Sequence, residues 1–143
     1  MNKYLSWKRK IINKLEKKQI KYNFDLQLVN NINANGCVIL FDKKYLIFIN
    51  EKVDNKLLPL VILHEIGHIK FKTLLKNPKK YSYWRETLSN IYAISNLLFL
   101  FNFIQKLKIL FLTIVSEDKL YNFFVNNNKL GGNYIYEWIS NNQ

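Results

Sequence analysis

Residues 57–69, LLPLVILHEIGHI, constrain this chain more than any other stretch, because at helical spacing they leave almost no polar face. A helix that is apolar on all sides must be buried on most of them, so the segment predicts a central helix around which the other elements pack. Asp54 or Asn55 is placed to cap it, and Pro59 is tolerated in its first turn. The polar side chains inside this run are His64, Glu65 and His68, and the two imidazoles are the only histidines of the chain. Burying two imidazoles and a carboxylate is costly unless each finds a partner. Either they are core side chains with satisfied hydrogen bonds, or they serve a ligand.

The spacing favours a ligand. Two histidines placed at random fall four apart in roughly 1–2% of chains, and a glutamate directly after the first lowers this to under about 0.1%. Four residues apart on a helix, the rings lie one above the other, about 6 Å along the axis, and can aim two nitrogens at one ion. Glu65 lies about 100° round from His64 and reaches a water in an open coordination position without being a ligand. This is the HExxH arrangement, in which His64 and His68 are zinc ligands and Glu65 is the general base.

Zinc then needs a third protein ligand. No histidine remains, which leaves carboxylates elsewhere: Glu51, Asp54, Glu86, Glu117, Asp118 and Glu137. Glu86 follows His68 by eighteen residues, beyond the breaker KNPKK (76–80), one turn into a helix that can return antiparallel to the first. Glu86, Asn90, Ala93 and Leu97 share one face of that helix. Small Ala93 permits close approach, and Asn90 can orient a histidine from behind. The competing reading makes Glu86 an exposed partner of a lysine.

Elsewhere the pattern predicts an amphipathic helix over 3–18, with Tyr4, Trp7, Ile11 and Leu15 as its stripe. GCVILFDKKYLIFIN predicts strands at 37–41 and 45–49 joined by a turn at Asp42, Lys43 and Lys44, and FDLQLV (24–29) a further strand. Ser82 is placed to cap a long helix reaching about Ile104, and Ser116 another over 117–127, whereas NYIYEWIS fits strand or helix. The fold class is α+β: a small sheet with a hairpin at about 37–49, a buried HExxH helix, a following Glu-bearing helix, and N- and C-terminal helices. One domain is expected over 1–143, with a basic helix (1–21), a core (22–104) and a C-terminal helical extension (105–143).

Charge and composition bound the partners. Hydrophobic residues make up 49% of the 143, which excludes global disorder. Twenty-two Lys and Arg against ten Asp and Glu give a formal charge of +12, and residues 1–21 hold eight of the basic side chains, Lys8, Arg9 and Lys10 among them. Such a helix is either a recognition patch for nucleic acid or an acidic partner, or a solvated face. Cys37 is the sole cysteine, so no intramolecular disulfide forms; together with a charged start that lacks an apolar leader, this points to the cytoplasm. Thr87–Gln105 carries no charge and ILFLTIV (109–115) follows, but Ser, Asn and Lys interrupt both, so buried helices are expected and a membrane partner is not.

With these residues in place, the chain resembles the ImmA/IrrE family of zinc metallopeptidases, found with phages, mobile elements and stress regulators. YLIFINEKVDNKLLPLVILHEIGHI and ETLSNIYAISNLL carry the resemblance, which covers residues 35–98, extends loosely over 20–34, and hardly touches the basic helix or the last 45 residues. It implies a minimal zincin-like domain with zinc ligands His64, His68 and Glu86 and base Glu65. Ser89, Asn90, Tyr92 and Ala93 take the Ala, Asn, Phe and Ala places of the family's ExxANxFA-like motif. The family's Met-Pro after the double leucine is replaced by FLF, and a histidine often seen just after HExxH is missing, so a different substrate-facing rim is expected.

The resemblance further implies an endopeptidase that cleaves or inactivates a DNA-binding repressor of its own element. Tyr81, Tyr83 and Tyr92 are the candidates for a donor to the oxyanion. The alternative is a zinc-containing, non-catalytic regulator that binds a protein or nucleic acid through the basic helix, and a third, less favoured reading is a membrane-surface protein using residues 97–115.

Overall fold

The computed structural model of the chain describes residues 2–72 and 83–142. The KNPKK breaker, the Ser82 cap and Tyr81 lie outside the described residues. Among those described, the architecture is α+β, with six helices and one three-stranded sheet. Helix α1 (Lys3–Tyr22) starts where Asn2 accepts the Tyr4 N–H at 2.8 Å and ends at Asn23, whose left-handed backbone (φ 53°) turns the chain into the sheet. It is one turn longer than its stripe predicts, and only Ile11 and Leu15 of that stripe are fully buried.

Strands β1 (Phe24–Val29), β2 (Gly36–Phe41) and β3 (Lys44–Asn50) lie in the order β1-β3-β2, with β1 parallel and β2 antiparallel to β3. Phe41 pairs with Lys44 across Asp42 and Lys43, both left-handed (φ 51° and 66°). That is a two-residue type I′ turn, whose twist matches the strands. Lys44 therefore belongs to the strand and not, as expected, to the turn. Phe24, Leu26, Val38, Ile47 and Ile49 bury the inner face, against which α2 packs.

Helix α2 (Leu58–Lys70) is the central helix that the apolar run demands: every residue from Leu58 to Ile69 is buried. Neither Asp54 nor Asn55 caps it. Asp54 takes the Lys56 N–H on its carboxylate and the Leu57 and Leu58 N–H groups on its carbonyl, so it closes the turn before the helix.

The long helix expected to reach Ile104 is two helices. Helix α3 (Tyr83–Ser95) stops because Ser95 Oγ and Asn96 Nδ2 both donate to the Tyr92 carbonyl, at 2.7 and 2.9 Å, where the ladder would continue. A 3₁₀ turn follows (Leu98–Leu100), and Asn102 with Gln105 forms a reciprocal capping box that starts α4 (Phe103–Val115). The expectation that this apolar stretch is buried fails for half of α4: Ile109, Leu112 and Thr113 face the core, and the opposite side is open.

Helix α5 (Glu117–Asn127) begins at Ser116 as predicted, and NYIYEWIS is helical within α6 (Tyr134–Asn142). Leu120, Phe124, Ile135 and Ile139 join the same core as α2. Tyr136 ties α6 to the Val53 carbonyl (2.6 Å) and Trp138 ties it to Glu16 on α1 (3.2 Å).

A close backbone contact with α2 sets the position of α3. A Cβ built on Gly67, inside the HExxH segment, would stand 3.0 Å from Ser89 Cα and 3.2 Å from its carbonyl oxygen. Gly67→Ala gains about 1 kcal/mol of helix propensity but forces backbone apart, an overpacking cost of about 1–3 kcal/mol. We expect a net loss, seen as a lower Tm, together with weaker metal binding because Glu86 moves with α3. Gly131→Ala, with nothing within 4 Å of the added carbon, should leave both unchanged.

Candidate metal centre

Helix α2 supplies His64, Glu65 and His68, all buried, and α3 supplies Glu86. The imidazole rings stand 4.8 Å apart at 85°, with their Nε2 atoms 3.2 Å from each other. Glu86 closes the triangle: its Oε2 is 2.9 Å from His64 Nε2 and its Oε1 3.4 Å from His68 Nε2. Four tetrahedral ligands at about 2.0–2.1 Å from an ion stand about 3.3 Å from one another. The three observed separations, which involve both Glu86 oxygens, bracket that value, so the group could hold a metal ion. The ligand atoms of His64, Glu65 and His68 also lie within 4.8 Å of one another.

Each ring is held from its far side. His64 Nδ1 is 2.6 Å from Asn90 Oδ1, and Asn90 Nδ2 donates to Glu117 Oε2 at 2.8 Å. Because the amide nitrogen is committed to Glu117, the oxygen faces the ring. Nδ1 therefore carries a proton, which leaves Nε2 to face Glu86 or an ion. Ser89 Oγ sits 3.2 Å from His68 Nδ1 and holds the second ring from its far side. Both groups come from the buried side of α3 that the spacing of Glu86, Asn90 and Ala93 predicts.

This basic protein concentrates negative charge here. Burial alone would depress the His64 pKa, but the Glu86 hydrogen bond and the charges of Glu65 and Glu86 overcome it and raise it to about 8. Burial opposes ionisation of Glu86, yet hydrogen bonds from both imidazoles hold it well below the usual carboxylate range. Burial pushes the Glu65 carboxyl up, against the pull of the two imidazoles.

Two further residues join the site: Glu117, one of the six candidate carboxylates but passed over for Glu86, and Tyr121, which sequence reasoning did not consider. Glu117, at the first position of α5, brings its carboxylate within 4.8 Å of ligand atoms of His64 and Glu86. Tyr121, one turn later on the same face, places its hydroxyl 3.5 Å from Asn90 Oδ1. Burial first, and then Glu117, Glu65 and Glu86, raise its pKa, so the phenol stays protonated. The i, i+4 pair of Glu117 and Tyr121 beside the apolar Leu120 and Phe124 was the available signal.

Other expected residues fall elsewhere. Tyr83 is exposed and meets Trp84 edge to face, and Tyr92 receives Lys18 Nζ at 2.7 Å. Lys8 and Lys10 cover the rings of Tyr134 and Phe99, and Arg9 is exposed on the same helix. No family model, curated protein or solved structure matches the chain.

The raised His64 pKa gives a signed expectation. Its ion pair contributes stability that is fully present below the ordinary imidazole value of about 6.5 and is lost as pH rises through about 8. Stripped of metal, the protein should lose several degrees of Tm between about pH 6.5 and 8.5. Over the same range the gain in Tm on adding Zn²⁺ should grow, because binding needs both rings neutral. Thermal shift with and without chelator reads both.

Chelator competition ranks the carboxylates. Glu86→Gln should weaken metal binding by more than about 100-fold, and Glu117→Gln by about tenfold, through Asn90. Asp54→Asn should have no effect, since that carboxylate is occupied in the turn before α2.

Proposed function

We propose that the chain is a zinc-dependent endopeptidase of the ImmA/IrrE type, with a minimal zincin-like domain and a DNA-binding repressor as its substrate. The observation that carries this reading is the triangle of His64 Nε2, His68 Nε2 and the Glu86 carboxylate, with Glu65 beside it and both Nδ1 atoms engaged from behind. His64, His68 and Glu86 would hold the ion. When bound, zinc supplies a Lewis acid that acidifies a water and polarises a carbonyl.

Glu65 accepts the proton of the attacking water and passes it to the leaving amine. Burial suits it to both halves of that task by raising its pKa toward working pH. Tyr121 keeps its proton and supplies a donor at the rim of the carboxylate cluster. The substrate lies extended along the open edge of β2, where Ile39, Leu40 and Phe41 are exposed, and adds a strand to the sheet. The Cys37 thiol on this strand is raised by burial and then by the charge of Glu65, so the edge runs within electrostatic reach of the base.

Glu117 favours a second reading. If its carboxylate fills the fourth position, the site is closed, and the protein is a zinc-containing regulator that binds its partner without cutting it.

Glu65→Gln separates the two. On the peptidase reading it retains one metal per chain and lowers cleavage of a repressor encoded beside the gene by about 10²–10⁴-fold. A wild-type protein that binds the repressor, holds its metal and never cleaves it would establish the regulator.

A further inference from the structure

Helix α4 is apolar over most of its circumference, interrupted by Gln105, Lys106, Lys108 and Thr113, a composition that ordinarily means burial on most sides. Here only one side is covered. At about 100° per residue, Phe103, Ile104, Leu107, Leu110, Phe111 and Ile114 fall opposite Ile109, Leu112 and Thr113. Ile104 is 76% exposed, Phe103 73%, Phe111 64% and Leu107 55%. A contiguous stripe of this kind marks an interaction surface.

The charges around it say what it fits. Lys106 and Lys108 flank the open stripe, one on each side, at the border with the buried face. No acid occurs between Glu86 and Glu117. A hollow of about 310 Å³ at the start of α4 is lined by Lys3 and Lys129 together with Asn102 and Gln105. Lys10 lies close by, 4.2 Å from the Phe99 ring centre.

The occupant must therefore be apolar at its centre and negative at its margin. Nucleic acid is negative but leaves six large apolar side chains uncovered. A second copy is apolar but brings another +12 and the same lysines. We propose that the outer face of α4 docks on the surface of an anionic bilayer. The helix lies in the interfacial plane, its aromatic and aliphatic side chains among the upper acyl carbons and Lys106 and Lys108 at the headgroups. This is surface binding: no helix among the described residues is long and apolar enough to cross a membrane.

Flotation of the purified full chain tests it, using phosphatidylcholine vesicles with about 30% phosphatidylglycerol in about 0.1 M salt. Wild type should float with these vesicles and bind pure phosphatidylcholine at least about tenfold less. Leu107→Ser with Phe111→Ser should lower anionic-vesicle binding by more than about tenfold. Lys106→Gln with Lys108→Gln should lower it by about tenfold and leave binding to pure phosphatidylcholine unchanged. Circular dichroism checks that each pair folds, and the lysine pair decides alone if the serine pair does not. Absence of wild-type flotation on anionic vesicles overturns the proposal, as does binding that neither pair alters. A lipid-free dimer abolished by the serine pair also overturns it, by assigning the face to a second copy.

Discussion

The contact of Gly67 with Ser89 is the constraint on which the site depends. Only a residue without a Cβ lets the α3 backbone approach α2 this closely in the middle of the HExxH turn. That approach brings Glu86 onto both imidazoles, sets Ser89 behind His68 and sets Asn90 behind His64. The glycine costs helix propensity, about 1 kcal/mol relative to alanine. Packing recovers it by joining buried α2 to the inner side of α3, a face made of serine, asparagine and alanine.

The centre is an acidic island in a protein of formal charge +12. Glu65, Glu86 and Glu117 come from three different helices and converge on two imidazoles. Without a cation these groups satisfy one another only in part: one imidazole must hold a proton, which is why His64 is pushed up while Glu86 is pushed down. A divalent ion resolves the same mismatch without protons, and the donor distances leave space for it.

Much of this was legible because it is periodic. The all-round apolar run forced α2 into the centre, the two short runs around Asp42 and Lys43 forced a hairpin, and the i, i+4 relation of Glu86 and Asn90 put both on the face toward α2. What was missed depends on contacts that periodicity does not carry. Ser95 and Asn96 divert the α3 ladder by bonding the Tyr92 carbonyl, although Asn102 with Gln105 was a readable start for a new helix. Apolarity places α4 away from water but does not say whether protein or something else covers its outer face. Glu117 was one of five acids that nothing in the sequence set apart once Glu86 was chosen, until the fold brought α5 to Asn90.

Asn90 gives that arrangement a direction. Its amide accepts from His64 and donates to Glu117, so α5, α3 and α2 form one polarised relay that ends at His64 Nε2. Glu117 is exposed. Negative charge at the protein surface therefore makes the buried donor atom more electron-rich, and a cation seated against Glu117 makes it less so. The softness of the inner nitrogen is tuned from outside, through a single side chain that touches neither solvent nor ion.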